Sequence, residues 1–266
     1  MVKVKAEADY YYVGFDRRLE PSEDVEMYVP LLKYLEHTTG YHFRLRVFPS
    51  NIDIAQEIAQ DQIQFAIIGP VSFLRAEKYG IKSLVIGITE NGTSSYRAMI
   101  VTSPESTIKN IQDLRGRTLA FGAMTSTQGY LIPRIMMAEA GLNLSDLASF
   151  EFFPSHAGAA NAVISGQFDA AALQDTLAEK LAAQGLVKII ATSAYYPCSG
   201  ISVGRGVDPL VAAAVQKALV EFDPQGKDRA GLYKWDDSEM PRGFRKTQGD
   251  PYIIYRYWAE RFKLVS

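Results

Sequence analysis

The residues best placed for chemistry in this sequence follow short apolar runs and precede helical patterns. In LAFGAMTSTQGYLIPR, Leu119, Ala120 and Phe121 stop at Gly122. A cluster of Thr125, Ser126, Thr127 and Gln128 then leads into apolar residues at Leu131, Ile135, Met136 and Ala140. The spacing predicts strand, loop and helix. The first turn of such a helix has backbone N–H groups without internal acceptors, at the positive end of the peptide dipoles, so it attracts an anion. Ser126 or Thr127 can cap the helix or donate a hydroxyl to an oxyanion, and Gly129 allows a ligand to approach closely. An ordinary N-cap is the simpler role for the same hydroxyls.

A second stretch repeats the arrangement. Phe150 to Phe153 reads as a strand, Pro154, Ser155 and His156 follow, and Ala157 to Ile164 reads as a helix. A neutral His156 can donate a hydrogen bond to an anion and a protonated one adds charge, although histidine serves structure in the same way. Asp175, in LQDTL, ends the next strand and can orient His156, accept a cationic ligand group or cap its own helix. Gly69 and Ser72 follow the apolar strand Phe65 to Ile68, beyond the carboxyl end where ligands of open α/β sheets gather; a tight turn and a cap would use the same residues.

Two other chemistries compete. Ser126, His156 and Asp175 can be drawn as a nucleophilic triad, but no G-x-S-x-G elbow presents the serine. The sequence also lacks a phosphate loop, an H-E-x-x-H pair and a G-x-G-x-x-G turn after a strand. Tyr195 and Tyr196, with His156 and a carboxylate, offer phenolate ligands to ferric ion; packing between lobes is the other use of such tyrosines. Neither a cofactor nor a resident metal is expected.

The elements that must position these groups alternate. Val2 to Lys5 leads into a first strand at Tyr10 to Phe15, and Asp24 caps a helix with Met27, Leu31, Leu32 and Leu35 on one face, closed by Gly40. A strand at Phe43 to Phe48, a helix from Ile52 to Gln60, the strand at Phe65 to Ile68, a helix from Val71 to Tyr79 and a strand at Leu84 to Ile88 follow. Tyr96 to Thr102 reads as one strand. From Leu114 the rhythm begins again, through Thr118 to Phe121, Phe150 to Phe153, Phe168 to Leu173 and Val187 to Thr192, each followed or preceded by a helix. Helices at Pro209 to Phe222 and Tyr252 to Phe262 have no strands of their own and are expected to cover the first sheet. The fold class is therefore α/β, two mostly parallel sheets flanked by helices. The lobes are expected at residues 1–101 plus 205–266 and at 102–204.

Composition narrows the function. The 266 residues are 47% hydrophobic and 22% charged with formal net charge −2, as in an ordinary soluble globular protein. Lys and Arg are scattered among acids, so no basic stripe for nucleic acid is present. No apolar run approaches the roughly 20 residues that span a bilayer, so a soluble chain is expected. The opening MVKVKAEADYYYVGF has no apolar h-region, and no signal peptide is expected within it. The lone Cys198 excludes an internal disulfide.

Several motifs in order, Ser126 to Arg134 (STQGYLIPR), Gln174 to Ala178 (QDTLA), Tyr195 to Gly200 (YYPCSG) and Glu239 to Phe244 (EMPRGF), resemble the substrate-binding proteins of phosphate, phosphite and phosphonate ABC transporters. The likeness extends through PLLKYLEHTTGY, IGPVSFLRAEKYG and SHAGAANAVISGQFDAAAL, over nearly the whole chain. It implies a type II periplasmic-binding-protein fold whose two lobes close on an oxyanion in the cleft between them, without catalysis. It places the family's hydroxyl cluster on Ser126 and Thr127 with Thr125 and Gln128 beside them, its tyrosine on Tyr96 and its histidine on His156. Ser50, Asn51 and Ile52 stand where aminoalkylphosphonate binders carry a tyrosine, and a later acidic position falls near Ser199. These departures point to a smaller oxyanion. The implied setting is the outer face of the membrane, as a monomer delivering ligand to ABC transporter membrane subunits; a sensor domain feeding a histidine kinase and a ferric-ion binder are the alternatives.

Overall fold

The computed structural model describes residues 10–17, 21–49 and 52–265. The expected strand at Val2 to Lys5, and Ser50 and Asn51, lie outside the described residues.

By internal contacts the chain divides into two units, residues 1–94 with 198–252 and residues 95–197 with 253–266. Unit 1 starts with β1 (Tyr11–Phe15), α1 (Pro21–Thr39), β2 (Phe43–Leu45), α2 (Ile54–Ala59), β3 (Phe65–Ile68), α3 (Pro70–Glu77) and β4 (Lys82–Gly87). Unit 2 carries β5 (Ser95–Tyr96), β6 (Ala98–Thr102), β7 (Thr118–Phe121), α4 (Ile132–Glu139), β8 (Ser149–Phe152), α5 (His156–Ile164), β9 (Ala170–Gln174), α6 (Asp175–Ala183), β10 (Lys188–Thr192) and β11 (Tyr196–Pro197). The chain re-enters unit 1 with β12 (Gly200–Val203), α7 (Pro209–Glu221) and β13 (Phe244–Lys246), and ends in unit 2 with α8 (Ile253–Arg261).

Unit 1 is a six-stranded sheet in the order β13-β4-β12-β3-β1-β2. Strands β1 to β4 run one way and β12 and β13 run against them. Every residue of β3 is buried, as expected of a strand covered on both faces. Helix α1 lays Met27, Leu31 and Leu35, spaced by four, with Tyr28 and Leu32 against Val13, Phe15 and Phe65, and α7 adds Val211, Val215, Ala218 and Leu219 to the same core. Trp235, from the loop after α7, closes that core and donates its indole N–H to the Met240 carbonyl at 3.1 Å.

Unit 2 is a five-stranded sheet in the order β10-β6-β9-β7-β8, in which β6 alone runs against its neighbours. Small side chains set its spacing: Ala159, Ala160, Ala162 and Val163 of α5 pack on Ala120, Ala171 and Leu173.

The structure departs from the sequence reading in several places: Asp24 lies buried inside α1, which begins at Pro21, and β13 is a strand in a C-terminal stretch expected to hold helices alone. Tyr96 to Thr102 is interrupted at Arg97, whose backbone N–H donates to Asp175 Oδ2 at 2.9 Å instead of to a strand. Ser95 and Tyr96 pair with Pro197 and Tyr196 in a separate two-stranded ribbon, and β6 joins the main sheet. The last helix, expected over the first sheet, packs within unit 2. Its Tyr255 is fully buried, stacks on Tyr196 at 5.5 Å and donates its hydroxyl to the Pro197 carbonyl at 2.6 Å. Arg134 of α4 lies over the ring of Phe262, just past α8, at 4.0 Å, so the end of the chain is held on unit 2 by an aromatic stack on β11 and a cation–ring contact on α4.

Candidate functional site

In unit 2 the parallel strands β7, β8 and β9 end together, and the polar residues singled out from the sequence stand just past those ends. After β7, Ser126 has extended backbone angles and its Oγ accepts the Gly129 N–H at 2.9 Å. The expected helix start is there, but its first turn, Thr127–Leu131, is a π turn. Tyr130 N and Leu131 N both reach the Ser126 carbonyl, at 3.1 and 3.2 Å, and Ile132 N reaches Thr127 O. Pro133 supplies the physical reason. Proline has no N–H to give the Gly129 carbonyl in an α-helical turn, and that carbonyl instead accepts the Gly122 N–H at 2.9 Å. The turn is thereby tied back to the end of β7.

Gly129 is explained by this closure. A Cβ there would lie 2.8 Å from Gly122 Cα, 2.9 Å from Ser126 Oγ and 3.0 Å from His156 Cε1. The sequence reading gave the glycine to an approaching ligand; the space is taken by the chain's own backbone and by the imidazole. His156 is the first residue of α5, behind Ser155, whose Oγ accepts the Gly158 N–H at 3.1 Å. Its Nδ1 accepts the Gln174 N–H at 3.3 Å, which assigns the proton of the neutral ring to Nε2 and makes that atom a donor.

Asp175 is the first residue of α6, and its carboxylate is consumed locally. Oδ2 accepts Arg97 N at 2.9 Å, while Oδ1 accepts Thr176 N at 3.0 Å and Gln128 Nε2 at 3.2 Å. Gln128, only 3% exposed, also donates Nε2 to the Arg97 carbonyl at 2.8 Å, and its Oε1 is buried with no donor among the described residues. Asp175 thus joins the Ser126 turn to the segment after Tyr96, and neither oxygen reaches the imidazole. Among the described residues Asp175, His156 and Ser126 are not linked as a relay, since Asp175 and Ser126 accept backbone N–H groups. Tyr96 is buried on the ribbon opposite Tyr196, and Thr127 is buried in the π turn, while Thr125 is half-buried ahead of it.

Unit 1 holds the other three residues. At the N-terminus of α3, Gly69 N–H donates to Asp16 Oδ2 and Ser72 Oγ donates to Asp16 Oδ1, both at 2.8 Å. The anion at this helix end is therefore the protein's own carboxylate. Ser199, almost wholly buried, donates its hydroxyl to Glu239 of the EMPRGF segment. That segment is fixed by Arg242 on Glu90 at 3.1 Å and by Met240 against Gly87. Asp16, Arg17 and Arg97 are residues the sequence reading did not single out, and it named Glu239 only as the start of the EMPRGF motif. The rule applied after β3, that groups beyond a strand's carboxyl end face ligands, would have found the pair after β1.

The chemistry follows from what is donated. The end of unit 2's sheet offers a capped π turn, hydroxyls and an imidazole donor, with its carboxylate already accepting N–H groups of the chain, an arrangement that suits an oxyanion. Burial, more than nearby Glu139, pushes the Tyr196 phenol up and away from phenolate, and Tyr195 lies under the Arg97 guanidinium, 5.0 Å from its ring centre. Among the described residues no group of three or more His, Cys, Asp or Glu can hold a metal ion, and no helix is long and apolar enough to cross a membrane.

Residues 13–252 match the protein family described as "ABC transporter, phosphonate, periplasmic substrate-binding protein". The "Phosphate-import protein PhnD" of Mycolicibacterium smegmatis is 26% identical over 173 residues, 60% of this chain and 54% of that protein. The "Probable ABC transporter phosphite binding protein PhnD1" of Prochlorococcus marinus is 25% identical over 162 residues, 60% of this chain and 50% of that protein. The matches thus span about half the length of these curated relatives. The solved structure of Prochlorococcus marinus PhnD1 in complex with methylphosphonate superposes with a TM-score of 0.82 at 15% identity, covering 97% of this chain and 99% of that one. That likeness speaks for the fold.

Proposed function

The chain belongs to the periplasmic substrate-binding proteins of phosphonate ABC transporters, and from that premise we propose that it captures a small phosphorus oxyanion of phosphonate, phosphite or phosphate type. It does so without turnover, as a monomer outside the cytoplasm, and delivers the ligand to a transporter's membrane subunits. The two α/β units act as the lobes. Ser126, Thr127, Thr125, Gln128, Tyr96 and His156 are the unit 2 residues of the site. Asp175 positions Gln128 and the Arg97 backbone. In unit 1, Gly69 and Ser72 act through Asp16, and Ser199 through Glu239.

The observation that carries this reading is the π turn capped by Ser126 with His156 packed on its Gly129. It gathers donors at the ends of three parallel strands and spends the nearby carboxylate elsewhere. A reaction would need a base aimed at a nucleophile, and Ser126 Oγ is instead the acceptor of a cap.

The test is thermal unfolding of ligand-stripped protein with phosphate, phosphite, methylphosphonate, aminoethylphosphonate or sulfate at millimolar concentration. A ligand at about 100 times its dissociation constant adds about 2.7 kcal/mol, and the midpoint rises by about 5–10 °C. A rise with a phosphorus oxyanion that is lost in Ser126→Ala and His156→Ala is expected. No rise with any phosphorus oxyanion would sink the proposal.

A further inference from the structure

Unit 1 contains a guanidinium, that of Arg17, with one buried donor unpaired among the described residues. Arg17 follows β1 directly: the Asp16 N–H still pairs with the Ile67 carbonyl at 3.0 Å, so Arg17 is the first residue past the ladder. It therefore stands at the carboxyl end of β1, beside the end of β3, on the edge where open α/β sheets hold ligands. Its Nε is shut off from solvent and has no hydrogen-bond partner among the described residues. A guanidinium is always charged, and burying one of its donors unpaired is costly enough that native proteins rarely do so without a use for it.

Five other arginines of unit 1 have hydrogen-bond partners of their own. Arg46 donates to the Gln62 carbonyl, Arg75 to Asp53, Arg229 to Asp236, Arg242 to Glu90 and Arg245 to the Gly92 carbonyl. The nearest carboxylate in sequence is no partner for Arg17, because Asp16 turns to α3 and takes the Gly69 N–H and the Ser72 hydroxyl. One arrangement thus does two things. Asp16 fills the helix terminus that would otherwise be unit 1's anion site, and Arg17 is left at the same edge with an unfilled donor.

We infer that Arg17 is unit 1's contact to the ligand, donating from Nε and a terminal N–H as a fork to two oxygens on one phosphorus atom. This deepens the proposed function and rests on it: the fork selects an anion with two charged or shared oxygens on a single centre, and it needs no ammonium group on the ligand.

The test compares wild type, Arg17→Gln and Arg17→Lys by titration calorimetry and thermal unfolding, with inorganic phosphate, phosphite and methylphosphonate as probes. Arg17→Gln is expected to weaken binding of the wild-type ligand by about ten- to a hundredfold, the range for a charge-assisted hydrogen bond. Without ligand its midpoint is expected to equal or exceed that of wild type, because an unpaired buried donor has been removed. Arg17→Lys restores charge without the fork and is expected to fall between the two. Wild-type affinity in Arg17→Gln overturns the inference, as does a lower ligand-free midpoint with affinity unchanged, which would mark a structural arginine. Failure of wild type itself to bind any of the three probes overturns the proposed function and this inference with it.

Discussion

Replacing Gly129 by alanine tests the closure of the π turn by the sign of its effect. In an ordinary helical turn, glycine to alanine stabilises by up to about 1 kcal/mol, because alanine has less backbone entropy to lose. Here the added Cβ would meet Gly122 Cα at 2.8 Å, Ser126 Oγ at 2.9 Å and His156 Cε1 at 3.0 Å. The first is backbone tied by the Gly122 N–H to Gly129 O bond, so it cannot swing aside as a side chain tip would. Overpacking of this kind costs about 1–3 kcal/mol, and the net expectation is a destabilisation of about 1–2 kcal/mol. For a chain of this size that lowers the unfolding midpoint by roughly 2–8 °C. Gly158→Ala is the control: in α5 its Cβ would meet nothing closer than Ser155 Oγ at 3.4 Å, and its N–H bond to that oxygen survives. That variant is expected to be neutral or slightly stabilised. Differential scanning calorimetry of the two variants beside wild type decides the matter. An unchanged or raised midpoint for Gly129→Ala would refute the reasoning, since it would mean that the turn has room for a methyl group.

Other expectations follow from the same contacts. Asp175→Asn places an amide donor among Arg97 N, Thr176 N and Gln128 Nε2, and should lower ligand-free stability by about 1–3 kcal/mol in denaturant titration; a stability equal to wild type would show that the carboxylate does not hold the turn. Tyr255→Phe removes the hydroxyl that donates to Pro197 O at 2.6 Å inside unit 2, and a loss of about 1–2 kcal/mol is expected in the same assay. Asp236 is held below the ordinary aspartate range chiefly by hydrogen bonds from Arg229, then from Gln225. A lowered folded-state value gives stability that is present above the unfolded value and is lost as pH falls through the folded one. The pair is exposed, so Asp236→Asn should cost only about 0.5 kcal/mol near neutrality, with the difference from wild type vanishing in acid midpoint scans. A gap that persisted at the lowest pH would contradict the assignment.

Much of the scaffold was legible because its signals are local. The apolar run FAII gave a strand buried along its whole length, and the four-residue spacing of Met27, Leu31 and Leu35 gave the face that α1 buries. Ser126 and Ser155 both cap the helical segments that follow them, as their positions after strands implied. The family motifs were legible for the same reason, since each is a short run of residues.

The sequence by itself determined that this is an α/β chain with two sheets, that hydroxyls and a histidine follow strands, and that the whole is similar to phosphonate-binding proteins. It could do so because periodicity and capping act over a few residues. Only the tertiary structure decided how each polar group is used. Asp175 looked free to orient His156 until Arg97, 78 positions earlier, brought its N–H to it. Gly69 and Ser72 looked available until Asp16, from another strand, filled the helix end. The last helix belonged to whichever unit offered it partners, and Tyr196, Pro197 and Arg134 decided for unit 2. Hydrogen bonding and packing between distant segments carry no periodic trace in a sequence, so the competition for each donor and acceptor is settled only when the fold brings the competitors together.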